Sequence, residues 1–455
     1  MRTTHTGKLE GSAALLLAGG VVVLEFASAI STFVAGTLLP LIERDLAAQE
    51  QVPLLVAGTT VGMFTALPLS SRIISRLSPG RVLMAGLLLS LVGSAVAASA
   101  PTAWVFATGR FVAGFAGAVV AVYGVSAAIR HLEEPLRLKV VAAMSAMWII
   151  PAMVGPSATL ALEHLVGWRI AMLAPVPLMV VGRVLVVRSV PSQEGDRGAD
   201  RPLVRTLLVP IGIAAFVLLA ASRWWYLSPL TLLVAMVGFF ALMPEGTGRL
   251  RRGAPAGLAG LTLFGAGYFG ANSLVTLLFT QTYNTTLFRA GIALSAAPIA
   301  WALASLLAPR LGARGAPPVW GLSLAATGVG LVGILGLAGG SWIAALTAWT
   351  LTGLGIGLSY PGLYLRATTE DATTVATQLA TAVITTESFG GLIGSTAGAG
   401  LGSFSSDLGI SRGDAWSWSF AGFAVVLAAA AVAASRSSVR QTSAITRRSA
   451  HPSQD

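Results

Sequence analysis

The chain is dominated by long apolar segments that are separated by short polar loops. Fourteen such segments lie near residues 13–40, 52–72, 81–100, 103–129, 139–162, 169–188, 206–222, 225–243, 255–282, 288–309, 317–338, 341–366, 376–402 and 415–434. A helix needs about 20 mostly apolar residues to cross the hydrocarbon core of a bilayer. The pattern therefore predicts a polytopic membrane protein with fourteen membrane-spanning helices, of which those at 206–222 and 225–243 are the shortest.

The composition indicates that a bilayer, rather than water, surrounds most of the chain. Hydrophobic residues make up 55% of the sequence and charged residues only 10%, whereas soluble domains carry about 25% charged residues. The 52 glycines also suit a membrane bundle, because small residues allow helices to approach closely. There is no cysteine, which excludes disulfides, thiol catalysis and iron–sulfur clusters.

The basic residues are distributed unevenly between the two sides of the predicted bundle. With the N-terminus in the cytoplasm, 23 Lys and Arg, including Arg183, fall on the cytoplasmic side and 5 on the outer side, while Arg110 lies inside a helix. Such a bias is the signature of membrane orientation. We therefore attribute the net charge of +11 to topology and not to nucleic-acid binding. The predicted location is the plasma membrane, with both termini cytoplasmic.

The segments predict an all-α integral membrane fold with two halves. We expect an N-terminal six-helix bundle at 1–188, a linker with two extra transmembrane helices at 189–253, a C-terminal six-helix bundle at 254–435 and a disordered cytoplasmic tail at 436–455. A weak internal echo between 66–82 and 302–318 favours two pseudo-symmetric six-helix bundles plus a two-helix insertion.

Three charged residues lie deep inside predicted helices: Glu25, Arg110 and Glu387. Charges are costly there and usually functional. Glu25 and Arg110 lie at similar depths, so they can pair directly or through water. In a functional interpretation Glu25 binds and releases a proton in competition with substrate; in a structural one, the pair fastens two helices. For Glu387 the structural alternative is a carboxyl hydrogen-bonded to neighbours such as Thr385.

Polar and aromatic residues of the second half are candidates for substrate binding. Tyr268, Asn272 and Thr276 recur at four-residue spacing and share one helix face. They can line a substrate cavity or form a hydrogen-bonding stripe between helices. Trp301 and Tyr360 can stack on an aromatic or cationic ligand, or fill the core.

Two short motifs resemble those of the major facilitator superfamily. GRFVAGFAGA at 109–118 resembles the family's helix-4 motif through Arg110 and Gly114, and PAMVGPSAT at 151–159 resembles its helix-5 antiporter motif through Gly155 and Pro156. The resemblance implies a proton-coupling role for Arg110 and an exporter-type helix 5. Independently, Gly155 and Pro156 predict a kink in that helix.

A third segment is similar to the loop between helices 2 and 3 in that family. SRIISRLSPGRVLMAG at 71–86 supplies Arg76 and Arg81, while Ser75 occupies the position where an acidic residue is expected. Together with the helix count, these motifs resemble the 14-helix drug:proton antiporters. The resemblance therefore assigns conformational roles to Gly114, Gly155, Pro156, Arg76 and Arg81.

No enzyme or channel chemistry is evident in the sequence. The four histidines have no metal-ligand spacing, and there is neither a phosphate-binding loop nor a repeated charged ring. We expect a monomeric, proton-coupled secondary transporter that exports small amphipathic drugs or natural products by alternating access. It would use the proton gradient and no cofactor. Export of a lipid or glycolipid, or uptake of a nutrient by symport, are the alternatives.

Overall fold

The computed structural model describes residues 9, 11–48, 52–189, 205, 207–220, 227–308, 317–369, 376–403, 409 and 411–437. The helices there are α1 (Gly11–Asp45), α2 (Val52–Arg76), α3 (Pro79–Ala98), α4 (Ala103–His131), α5 (Glu134–Ala146), α6 (Ile149–Ala171), α7 (Val176–Ser189), α8 (Leu208–Ala220), α9 (Ser228–Leu242), α10 (Ala254–Gln281), α11 (Leu287–Leu307), α12 (Pro318–Leu337), α13 (Trp342–Ala367), α14 (Ala376–Ser403) and α15 (Arg412–Arg436). Each of the fourteen predicted segments coincides with a helix, so the all-α prediction is confirmed. Residues 190–204, 206 and 221–226 of the predicted linker and most of the predicted tail lie outside the described residues.

The number of complete membrane spans stays a prediction. In the described ranges, nine helices are long and apolar enough to cross a bilayer, or ten if the bent pair Ser157–Ala171 and Val176–Ser189 counts as one span. Helices α8 and α9 contain 13 and 15 residues. At about 1.5 Å per residue they reach about 20 Å, which is less than the roughly 30 Å of a hydrocarbon core.

The predicted fifth helix is interrupted at a position that the sequence analysis did not predict. The break between α5 and α6 lies at Met147 and Trp148. Met147 is four residues before Pro151, and because proline has no N–H, the carbonyl of Met147 lacks its helical donor. The kink expected at Gly155 and Pro156 stays a prediction, because helical φ and ψ values do not measure the direction of the helix axis; within α6 the backbone leaves helical values at Gly167, with φ 78°.

The helices pack as two groups with matching contacts. In the first group α4 packs against α2 and α3, and in the second α13 packs against α11 and α12. Glycines allow the close approach: a Cβ on Gly114 would lie 2.3 Å from the backbone oxygen of Thr59, and one on Gly353 would lie 2.1 Å from that of Ala297. The close approach between the second and fourth helices is thus repeated in both groups.

One end of the bundle is rich in basic residues and is called the basic end below. Helices α2, α4, α7, α13 and α15 each carry arginine in their last turn. The amide of Leu9 donates to the carbonyl of His131, which places the start of α1 beside the end of α4. At the opposite end, Arg169 forms a 2.6 Å ion pair with Asp45 at the end of α1.

Helices α8 and α9 pack against each other and are attached to both groups. Helix α8 packs on α2. The ring of Phe239 in α9 stacks on Phe389 of α14 at 4.6 Å, and Phe389 meets Phe64 of α2 edge-on at 6.5 Å. The insertion therefore lies where α2 and α14 face each other.

Candidate functional site

A cavity of about 620 Å³ lies between the two groups of helices. Seven of the eight predicted charged and substrate-binding residues line it: Glu25, Arg110, Tyr268, Asn272, Trp301, Tyr360 and Glu387. The sequence-based choice of these side chains is thus consistent with one shared site. Thr276 is partly buried and is not among the lining residues.

The carboxylate of Glu25 contacts Trp148, not the expected Arg110. The indole N–H of Trp148 donates to Oε1 of Glu25 at 2.8 Å. Trp148 stands at the break between α5 and α6, and its ring meets Phe33 of α1 edge-on at 6.4 Å. In the structure Glu25 is therefore bonded to a neutral donor at an interrupted helix and forms no direct pair with Arg110, while a pairing through water stays a prediction.

The carboxylate of Glu387 also has an aromatic partner that the sequence did not reveal. The hydroxyl of Tyr360 in α13 donates to Oε1 of Glu387 at 2.6 Å. The hydroxyl of the neighbouring Thr385 donates to the carbonyl of Thr381 in its own helix, so it does not donate a hydrogen bond to Glu387. Each cavity carboxylate thus accepts a hydrogen bond from an uncharged aromatic side chain on another helix.

The guanidinium of Arg110 lies at the cavity on the opposite wall from Tyr360. Its Cβ is next to Gly58 of α2, so the close α2–α4 contact fixes the start of the side chain. Within the described residues Arg110 has no hydrogen-bond or ion-pair partner, and the carboxylate of Glu25 is bonded to Trp148 instead. Its charge is therefore available to a ligand or to water in the cavity.

The second group of helices supplies an aromatic wall, formed by Tyr268, Phe269, Trp301 and Tyr360, with the buried ring of Phe264 packed behind them. The ring of Trp301 lies 5.2 Å from Tyr268 and 5.4 Å from Tyr360, in edge-on arrangements. Three polar atoms of this region are buried and lack a protein partner: Tyr268 Oη, Asn272 Oδ1 and Trp301 Nε1. Unpaired buried polar groups are costly unless a ligand or water satisfies them.

The residues assigned conformational roles lie in three different settings. Gly114 allows the close contact of α4 with α2, and Gly155 packs against the side chain of Phe33. Arg76 and Arg81 are exposed at the basic end, where α2 ends and α3 begins. The side chain of Pro156 lies outside the described residues.

Arg183 is the most consequential residue that the sequence analysis misplaced. It was counted in a cytoplasmic loop, but it lies within α7, is only 3% exposed and lines the cavity. Its guanidinium donates to the carbonyl of Gly86 at 2.7 Å and to Ser90 Oγ at 2.8 Å. Its position inside the predicted segment 169–188 was the available signal.

The cavity is closed at the basic end and extends toward the other. Near the basic end, Ser126 of α4 and Thr377 of α14 share a 3.1 Å hydrogen bond, and both are buried. Toward the opposite end the lining includes Ala97, one residue before the end of α3, and Met172. The two groups therefore meet at one end and leave space between them farther along.

In the described part of the chain, no three acidic or histidine side chains come together as a metal site. The chemistry that the cavity offers consists of two carboxyls, two guanidiniums and a set of aromatic rings. These groups can bind protons and amphipathic molecules.

Comparison with known proteins places this architecture in a family. The sequence model of the Major Facilitator Superfamily matches residues 21–248, half of the chain. The multidrug efflux pump SdrM of Staphylococcus aureus is 24% identical over 203 residues, covering 44% of this chain and 45% of the pump, so this match spans less than half the pump's length. A probable multidrug-efflux transporter of Mycobacterium tuberculosis is 25% identical over 421 residues, covering 85% of this chain and 86% of that protein.

Solved structures show the same fold. The human organic anion transporter MFSD10 superposes with a TM-score of 0.68 at 15% identity, covering 93% of this chain and all of that one. The Escherichia coli fucose:proton symporter FucP gives 0.64 at 15% identity, covering 94% of this chain and all of that one. At such identities the likeness is one of fold.

Proposed function

This chain belongs to the Major Facilitator Superfamily and is a multi-pass membrane transporter, and on that premise we propose that it exports small amphipathic molecules in exchange for protons by alternating access. The observation that carries the proposal is the cavity between the two helix groups, which contains Glu25 and Glu387 and is closed at one end. Such a cavity provides a site that opens to one side of the membrane at a time.

The two carboxyls support proton coupling. Glu25 and Glu387 each accept a hydrogen bond from a neutral aromatic donor, Trp148 and Tyr360. Without an arginine in contact, each carboxyl can exchange a proton with cavity water instead of remaining in a permanent ion pair. A cationic group of a substrate would compete with that proton for the same oxygens. This competition is the physical basis of exchange.

The direction of transport is proposed from two further observations. Relatives of the chain are named as multidrug efflux pumps. The basic end is the side that the positive-inside bias assigns to the cytoplasm, so the closed end would face inward and the cavity outward. The protein would work as a monomer in the plasma membrane with both termini cytoplasmic, and would use the proton gradient without a cofactor.

Transport into inverted vesicles tests the proposal. With an acidic lumen, wild-type protein should accumulate a fluorescent amphipathic dye, and Glu25→Gln should reduce the proton-driven rate by about tenfold or more, because the exchanged proton has lost its site. Glu133→Gln is the matched control, since Glu133 is exposed at the basic end. Unchanged exchange in Glu25→Gln would remove Glu25 from the mechanism. If the dye moved in the same direction as the protons, the result would support symport instead of export by exchange.

A further inference from the structure

The charges of the cavity are distributed unevenly between its two walls. The first group of helices contributes Arg110 from α4 and Arg183 from α7, together with Glu25 from α1. The second group contributes Glu387 and the aromatic wall. The two guanidiniums, with Ser90 and Ser94 of α3 beside them in the lining, are called the cationic wall below.

The charge of Arg183 is fixed in position but is not neutralised. Two of its nitrogens donate to neutral acceptors, the carbonyl of Gly86 and the hydroxyl of Ser90. Its Nε is buried and has no protein partner. Neutral acceptors orient a guanidinium without cancelling its charge, so the electrostatic field of Arg183 extends into the cavity.

The charge of Arg110 is not neutralised either. Within the part of the chain that the structure describes it forms no ion pair, and Glu25 is bonded to Trp148. A planar guanidinium at a cavity surface matches the two oxygens of a carboxylate. The cationic wall therefore favours an anionic group on the molecule that occupies the cavity.

The aromatic wall favours a different part of the same molecule. Trp301 and Tyr360 are partly buried and line the cavity, while the buried ring of Tyr268 is stacked between Phe264 and Trp349 behind them. The buried atoms Trp301 Nε1, Tyr268 Oη and Asn272 Oδ1 have no protein partner. The carboxylate of Glu387 lies at the edge of this wall through its bond to Tyr360. Rings beside a carboxylate attract a planar cation.

Building on the proposed function, we infer that the transported molecules are zwitterionic aromatic amphiphiles. Their carboxylate, or a similar anionic group, binds at Arg110 in the field of Arg183, and their cationic ring system binds between Trp301, Tyr360 and Glu387. A cavity of about 620 Å³ has the size of a site for a drug-sized ligand. A simple cation gains nothing from the cationic wall and is repelled by it.

A matched pair of dyes tests the inference. Rhodamine 110 is a zwitterion, and rhodamine 123 is its methyl ester, a cation with the same ring system. Their affinities for the purified full-length protein would be measured by fluorescence anisotropy, without a proton gradient. We expect the acid to bind wild type about tenfold tighter than the ester, the difference that one charge-assisted hydrogen bond provides.

Variants locate the source of the preference. Arg110→Gln and Arg183→Gln should each lower the acid-to-ester affinity ratio toward one, whereas Arg183→Lys, which keeps the charge, should retain most of it. Arg44→Gln is the control, because Arg44 is exposed at the end of α1 and should leave the ratio unchanged. If Arg183→Gln does not fold, Arg110→Gln alone decides the result, since its side chain has no protein partner to lose.

Three results would overturn the inference: equal affinities for acid and ester in wild type, a ratio that neither arginine variant changes, or no binding of either dye. None of these would refute proton-driven export, which the vesicle assay measures separately. Conversely, the predicted dye preference without any proton-driven flux would support the proposed binding site and contradict the proposed proton coupling.

Discussion

The indole N–H of Trp148 donates a 2.8 Å hydrogen bond to the carboxylate of Glu25, and Trp148 is the second residue of the break between α5 and α6. Helix α5 packs against α11 and α13 of the other group. A change at Glu25 that weakens this bond therefore affects the turn between α5 and α6, and α5 contacts both groups of helices. The bond joins the carboxyl to which we assign the exchanged proton to a segment that contacts both groups of helices.

Replacing Trp148 by Phe should uncouple transport from protons more than it weakens substrate binding. The change removes the N–H and keeps an aromatic ring. A hydrogen bond to a charged group contributes about 1.5–3 kcal/mol, so we expect about a tenfold fall in proton-driven rate. The measurement compares the transport rate with dye affinity. Trp320→Phe is the control, because Trp320 is 75% exposed. Equal losses in rate and affinity would contradict the prediction.

The contact between α2 and α4 predicts a sharp difference between two glycines on one helix. A Cβ at Gly114 would meet the backbone oxygen of Thr59 at 2.3 Å, whereas one at Gly117 would meet nothing within 4 Å. Gly114→Ala should destabilise the protein by about 1–3 kcal/mol through overpacking. Gly117→Ala should leave the thermal melting temperature nearly unchanged. Equal melting temperatures for the two variants would show that the helices separate without cost.

The insertion helices should depend on one phenylalanine and not on its neighbour. Phe239 is buried and stacks on Phe389, whereas Phe240 is 50% exposed. Phe239→Ala should lower the free energy of unfolding by about 3 kcal/mol, and Phe240→Ala by much less. Thermal unfolding of both variants checks this. If Phe240→Ala were the more destabilising change, the described packing of α9 would be wrong.

The ion pair at the end opposite the basic end predicts a pH effect of known sign. Hydrogen bonds from Arg169 and Trp168 hold the pKa of Asp45 below its usual value. A lowered pKa in the folded state stabilises the protein above the unfolded pKa, about 3.9, and this contribution disappears as the pH falls through the folded value.

Asp45→Asn should therefore be less stable than wild type at pH 6, and the difference should shrink as the pH falls below about 4. The effect should be small, because both side chains are nearly half exposed. Melting curves between pH 6 and pH 3 measure it. A difference that grows on acidification would have the wrong sign for this pair.

The sequence predicted the helices well because hydropathy over about 20 residues is a local property. It also selected Glu25, Arg110 and Glu387, because charges in apolar segments are conspicuous. The partners of these charges could not be predicted, since Trp148 lies 123 residues from Glu25. The charge count also missed Arg183, because this arginine lies inside the predicted segment 169–188 but was counted with the cytoplasmic basic residues.

Helical periodicity identified the correct face of α10 but not the extent of the cavity. Tyr268 and Asn272 line the cavity, while Thr276, one turn farther, does not. The spacing of residues along one helix does not reveal where the facing helices diverge. The break at Met147 and Trp148 was not predicted for a similar reason, because the sequence alone does not show how Pro151 is packed.

The most direct test of alternating access is a cross-link across the closed end. The natural chain contains no cysteine, so Ser126→Cys with Thr377→Cys introduces a single reactive pair where the two hydroxyls lie 3.1 Å apart. Oxidation should stop proton-driven transport in the double variant, a reductant should restore it, and neither single variant should respond. Transport at the wild-type rate with nearly all of the protein cross-linked would contradict alternating access through this cavity.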